Sequence, residues 1–246
     1  MQLKATYKLN YWIDYVVISF LCLIVLIDSI NGYLLRSGIN LSISQIIKSF
    51  IFIVILLRII TFQNKSTIIL GLLFSYILFH TLYFVIYTPS LFLPSIVKLS
   101  KFLFWITLLY YFKELISRFP HFTSKYINII IKWNILFVFI NVLLGSLGFG
   151  YEAYEGDIGT KGFFYAGNEL SSLFLIITSY FLFKIYPYRK KAYYGFGLIT
   201  ILFSLMISTK VSILGTLIMF FIIPIIYTLK ISKKIKINKL IKWIVG

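Results

Sequence analysis

The sequence predicts an all-α fold, a polytopic bundle of about eight helices that cross a membrane. Three observations predict it. Hydrophobic residues make up 60% of the 246 positions and mean hydropathy is +0.95, more apolar surface than a soluble domain of this size carries. The apolar runs are long and do not alternate, so they suit helices rather than barrel strands, since backbone groups in lipid must be satisfied internally. The net charge is +17 and gathers in alternate loops. In a soluble protein such charge would point to nucleic acid. Here it is the signature of basic loops held in the cytoplasm.

The unit of organisation is an apolar span of ~20 residues, enough to cross ~30 Å of hydrocarbon. In chain order the spans are Tyr11–Ile30, Leu41–Ile60, Thr67–Tyr87, Leu91–Phe112, Ile127–Phe149, Leu170–Tyr186, Ala192–Ile207 and Val211–Leu229. The first follows Lys4 and Lys8, and no small-residue cleavage site closes it, so it reads as a retained helix. One side holds Lys4, Lys8, Arg58, Lys65, Lys113, Arg118, Lys125, Lys132, Lys184, Arg189, Lys190, Lys191 and the tail from Lys230 to Lys242. The other holds Arg36, Lys161 and Lys210. This asymmetry puts the N-terminus in the cytoplasm and the loop bearing Glu152, Glu155 and Asp157 outside. Parity sorts the weaker spans. Both loops flanking 67–112 are basic, so Leu91–Phe112 must cross despite its lysines. The same logic splits 192–229 at Ser208-Thr209-Lys210. The apolar residues of Lys242-Trp243-Ile244-Val245-Gly246 follow a basic cluster and read as the start of a ninth span, in the front part of a longer protein.

Several chemistries are not indicated. No P-loop, nucleophile elbow, dinucleotide fingerprint or metal-ligand spacing occurs. Cys22 is the single cysteine and can form no internal disulfide. His80 and His121 lie in different segments.

Three features could carry function. Lys98 and Lys101, three residues apart, share one face of a helix. A lysine at the bilayer centre disfavours insertion by ~2.5–3.5 kcal/mol, against ~0.3–0.6 returned by each Leu, Ile or Phe. Such lysines either face a cavity or partner, or snorkel to the surface. Facing a cavity, they would suit an anion such as a lipid pyrophosphate, with Lys48 and Arg36 as further charges. The second feature is the outer loop, where Tyr151, Tyr154, Phe163, Phe164 and Tyr165 adjoin Glu152, Glu155, Asp157 and Glu169. It reads either as an interfacial aromatic belt with a helix cap, Asn168 being the N-cap and Glu169 favouring the positive helix end, or as a sugar site of rings and carboxylates. The third is Ser208-Thr209-Lys210, a turn that is either simply solvated or a cation on the sparsely basic side.

Gly162-Phe163-Phe164-Tyr165-Ala166-Gly167-Asn168-Glu169-Leu170, followed by an apolar span and then Ile207-Ser208-Thr209-Lys210 after the next, resembles the O-antigen ligase and polymerase family. Gly162 and Asn168 match that family's helix-start pattern. Lys210 stands where arginine is usual, which keeps the charge but loses the bidentate fork. The resemblance covers about 162–229 with motif content. It implies a GT-C-like membrane glycosyltransferase of the bacterial cytoplasmic membrane. Such a protein polymerises or ligates undecaprenyl-pyrophosphate-linked oligosaccharide in surface polysaccharide synthesis, without cofactor, metal or nucleic acid. In that reading Lys98, Lys101, Lys48 and Arg36, chosen for their placement, and Lys210, from the motif, would hold pyrophosphate. Asn168, Glu169, Phe163, Tyr165 and Glu155 would hold glycan. The family's catalytic loop would lie beyond residue 246, so no catalytic residue is assigned. A flippase or a non-catalytic membrane subunit is the alternative.

Overall fold

The computed structural model describes residues 2–39, 43–62, 92–154 and 158–245, with isolated positions between 68 and 86. The helices are α1 (Gln2–Arg36), α2 (Ile43–Phe62), α3 (Phe92–Arg118), α4 (Pro120–Ser146), α5 (Gly167–Ile185), α6 (Lys190–Ile207) and α7 (Lys210–Val245). Among the described residues, five helices are long and apolar enough to cross a membrane, which makes this a mostly helical, multi-pass membrane protein. The third expected span, Thr67–Tyr87, lies mostly outside the described residues, as do His80 and Glu155.

The mostly helical expectation holds, and one expected loop is instead a short hairpin. Strands β1 (Tyr151–Tyr154) and β2 (Ile158–Gly162) pair antiparallel in the segment expected to be a loop. Aromatic residues in β1 and glycines at 159 and 162 favour a short twisted hairpin over a helix there.

Helix boundaries follow local chemistry. α1 runs 35 residues, well beyond the expected 11–30. α3 and α4 are separated by Phe119 alone, because Pro120 has no N–H to continue α3 and instead opens α4. α5 ends just before Tyr186 and Pro187. α7 carries Pro224 inside it and continues through Val245, so residues 243–245 extend this helix.

The chain forms two compact units. The first comprises Met1–Asn31 and Ile39–Trp133. Its core joins Val17 and Leu21 of α1, Ile51, Ile55 and Ile59 of α2, and Phe104, Leu108, Tyr111 and Leu115 of α3. The spacings of three and four put each set on one helix face. Lipid is as apolar as these side chains, so close packing and buried polar contacts hold such helices together. Arg58 of α2, counted from sequence among the charges of the basic side, is 4% exposed and bonded to Asp14 of α1. Tyr111 of α3 donates to the same carboxylate at 3.0 Å.

The second unit comprises Gly32–Gly38 and Asn134–Gly246. Tyr193 of α6 stacks on Phe220 of α7 at 5.5 Å, and Phe139 of α4 stacks on Phe203 of α6 at 4.2 Å. Small polar residues, among them Ser171, Thr178, Thr200, Ser204 and Ser212, are buried between helices. Their size allows close backbone approach, and most donate to a carbonyl one turn back.

Candidate functional site

The hairpin is fastened to the second unit by side-chain amide chemistry. Asn141, 3% exposed on α4, accepts from the Phe163 N–H at 2.9 Å and donates to the Lys161 carbonyl at 3.4 Å. It thus clasps the backbone on both sides of Gly162. That glycine has φ +57, and a β-carbon there would run into the Asn141 side chain. Thr160 adds a second tie, donating to the Tyr151 carbonyl at 3.2 Å and accepting from the Gly162 N–H at 2.9 Å.

The end of α1 meets the same loop. Gly32 lies so close that an added β-carbon would overlap the Phe163 carbonyl oxygen. At the next residue, the Tyr33 ring meets Phe163 edge-on at 5.9 Å, and Phe163 meets Tyr151 at 6.4 Å. The Arg36 guanidinium stands over the Tyr151 ring, 4.4 Å from its centroid, a cation–π geometry. Lys161 lies within the field of Arg36. Burial, then Arg36, push its ammonium below the usual 10.5, and Glu152 partly opposes this. Two cations, three rings and a carboxylate therefore converge on one hairpin. Such a set can bind an anion through the cations and stack a sugar face on the rings.

The residues on either side of the first motif also meet the second here. Gly159 packs against Ser208 and the Ile207 carbonyl. Ser171 Oγ and Thr209 Oγ1 are 2.6 Å apart. Thr209 caps α7, accepting from the Ser212 N–H at 3.1 Å. Ser208, at φ 57, ends α6, and Lys210 is the first residue of α7 rather than part of the turn.

Asn168 is not the N-cap of α5. Ala166 holds that position with extended backbone, and its methyl offers no cap. Asn168 and Glu169 lie in the first turn, both exposed, where the Glu169 carboxylate favours the positive end of the helix.

The remaining candidates divide between the units. Arg36, Phe163, Tyr165, Asn168, Glu169 and Lys210 belong to the second; Lys48, Lys98 and Lys101 belong to the first. Lys48 is bonded to Asp28 at 2.7 Å, and Ser44 Oγ donates to the same oxygen at 2.5 Å, so its charge is balanced. The backbone is helical through Lys98 and Lys101, whose side chains lie outside the described residues. Among the described residues, no three of His, Cys, Asp and Glu converge on a point.

The sequence motifs do not single out Asn141, Asp14 or Asp28. Each is a polar residue inside or at the edge of an apolar span, and that placement was the available signal. In sequence Lys161 stands out only as a charge on the sparsely basic side. Comparison with known families, characterised proteins and solved structures found no match to this chain.

Proposed function

We propose that this chain is an integral membrane glycosyltransferase-like protein that polymerises or ligates undecaprenyl-pyrophosphate-linked oligosaccharide in surface polysaccharide synthesis. In this reading it is a GT-C-like bundle of about eight spans in the bacterial cytoplasmic membrane, with a cytoplasmic N-terminus. The observation that carries the proposal is the hairpin cluster. Arg36 stands over the Tyr151 ring, Tyr33 and Tyr151 both meet Phe163, and Lys161 lies in the field of Arg36, on the hairpin that leads into the segment whose sequence resembles the family. The contacts of Ser208 with Gly159 and of Thr209 with Ser171 support treating the two motifs as one site.

The reaction would be displacement at an anomeric carbon. The acceptor hydroxyl oxygen bonds to that carbon as the carbon's bond to the pyrophosphate oxygen breaks, and the hydroxyl proton is released to water. Arg36 and Lys161 would stabilise charge growing on the departing pyrophosphate, with Lys210 as a further cation. Glycan would lie against Phe163 and Tyr165, within reach of Asn168 and Glu169. Lys98 and Lys101 belong to the proposal on their spacing alone.

A second reading, a lipid-linked glycan flippase, draws on the Asp14–Arg58 and Asp28–Lys48 pairs, because ionisable groups in membrane helices often line transport paths. A deletion strain separates the readings. Loss of a polymerase leaves single glycan units on the acceptor, and loss of a ligase leaves polymer on the lipid carrier. Loss of a flippase traps units on the cytoplasmic face. Unchanged glycan in a strain that expresses the protein and has no paralogue would remove all three.

A further inference from the structure

In the first unit a crevice of about 340 Å³ runs between α1 and the first part of α4, lined by Tyr15, Ile18, Ser19, Cys22, Tyr126 and Trp133. Its floor is well packed: Ile18 and Cys22 are buried against Tyr126, and Tyr126 meets Tyr15 edge-on at 5.9 Å and Phe122 at 4.1 Å. Both helices are apolar enough to span a membrane, so whatever enters the crevice comes from lipid rather than water. An empty slot would forfeit dispersion contacts along its whole lining. From Tyr15 to Cys22 the slot rises ~10 Å along the helix, at ~1.5 Å per residue. A slender hydrocarbon chain fits that shape.

The charge around the slot selects the headgroup. Lys125 and Lys132 are exposed and immediately precede the lining residues Tyr126 and Trp133. His121 is exposed one turn before Lys125, and residues 120–133 contain no Asp or Glu. The nearest acid on α1, Asp14, is turned into the bond with Arg58. Basic residues at a membrane surface attract anionic lipids, and long lysine stems let the ammonium reach the headgroup level.

We infer that the α1–α4 crevice holds one acyl chain of an anionic phospholipid, with its phosphate met by Lys125 and Lys132. The test is native mass spectrometry of the protein released from nanodiscs made of equal parts phosphatidylcholine and phosphatidylglycerol. One phosphatidylglycerol should stay bound per chain. Each lysine at such a surface contributes about fivefold in affinity, so Lys125→Gln with Lys132→Gln should weaken retention about 25-fold. Ser19→Trp, which fills the slot, should abolish retention in a protein that keeps its helix content. Both lysines are exposed, so the double variant tests the headgroup contact without disturbing the core. Equal retention of both lipids would overturn the inference. So would unchanged retention in either variant, or a lipid-free dimer in which a second copy covers the slot.

Discussion

Arg58 and Asp14 form a two-pronged bond between α2 and α1, with Nε to Oδ1 and Nη2 to Oδ2 both at 2.9 Å and both residues under 5% exposed. Burying one such charge without the other is strongly unfavourable. Arg58→Met or Asp14→Leu alone should therefore destabilise the protein by about 3–5 kcal/mol. The two together should recover much of that loss, since no charge is then left unpaired and only the neutral Tyr111 hydroxyl loses its acceptor. Unfolding of the purified variants in mixed micelles would measure this; single variants as stable as wild type would refute it.

Gly162 should tolerate no side chain. Its positive φ alone disfavours alanine by roughly 1–2 kcal/mol, and the Asn141 amide already fills the space. Gly162→Ala should loosen the hairpin and expose 151–162 to limited proteolysis, and Asn141→Ala should do the same by removing both clasp bonds. Protection equal to wild type in both would show that the hairpin is held by other contacts.

Thr209 and Ser171 should be energetically coupled. Thr209→Val removes the cap of α7, an effect of about 0.5–2 kcal/mol, and leaves Ser171 without its partner across the helices. A double-mutant cycle with Ser171→Ala should give a coupling of roughly 0.5–3 kcal/mol. A coupling of zero would mean that the 2.6 Å approach adds nothing.

Lys161 should be unusually reactive for a lysine. Its folded-state value lies below 10.5 because of burial and Arg36. The charged form is thus disfavoured in the folded protein, and stability contributed by this group rises with pH between the lowered value and 10.5. Acylation with an amine reagent at mildly alkaline pH should mark Lys161 before the other hairpin-side lysine, Lys210. Arg36→Gln should slow that labelling by raising the value, whereas Glu152→Gln should speed it. Labelling unaffected by either change would separate Lys161 from both charges.

Under the proposed function, Arg36→Ala and Lys161→Ala should each lower glycan chain growth about a hundredfold, the scale of losing one donor to developing charge. Protein level should stay unchanged. Full growth in the double variant would take both cations out of the site. The same assay on Lys98→Ala with Lys101→Ala tests the intramembrane pair.

The hairpin shows why the site was only half legible in sequence. Its aromatic and acidic residues marked 151–169 as distinct from the spans around it. Yet strands were hidden because four- and five-residue runs broken by glycines carry little periodicity. Asn168 looked like a cap because asparagine favours that position, but the backbone turned two residues earlier, at Ala166. Lys48 looked like an unbalanced intramembrane cation because its partner, Asp28, lies on another helix.

By itself the sequence determined the membrane character, the helical class and the order of the described helices, since these follow from composition and run length in a medium that supplies no backbone hydrogen bonds. It also determined which short segments carry unusual chemistry. Only the tertiary structure decided which charges are balanced and which gather. Asp14 and Arg58 are 44 positions apart in the chain, and Ser171 and Thr209 are 38 apart. Such partners are set by which helix faces meet, and that is a property of packing between helices, not of any one helix.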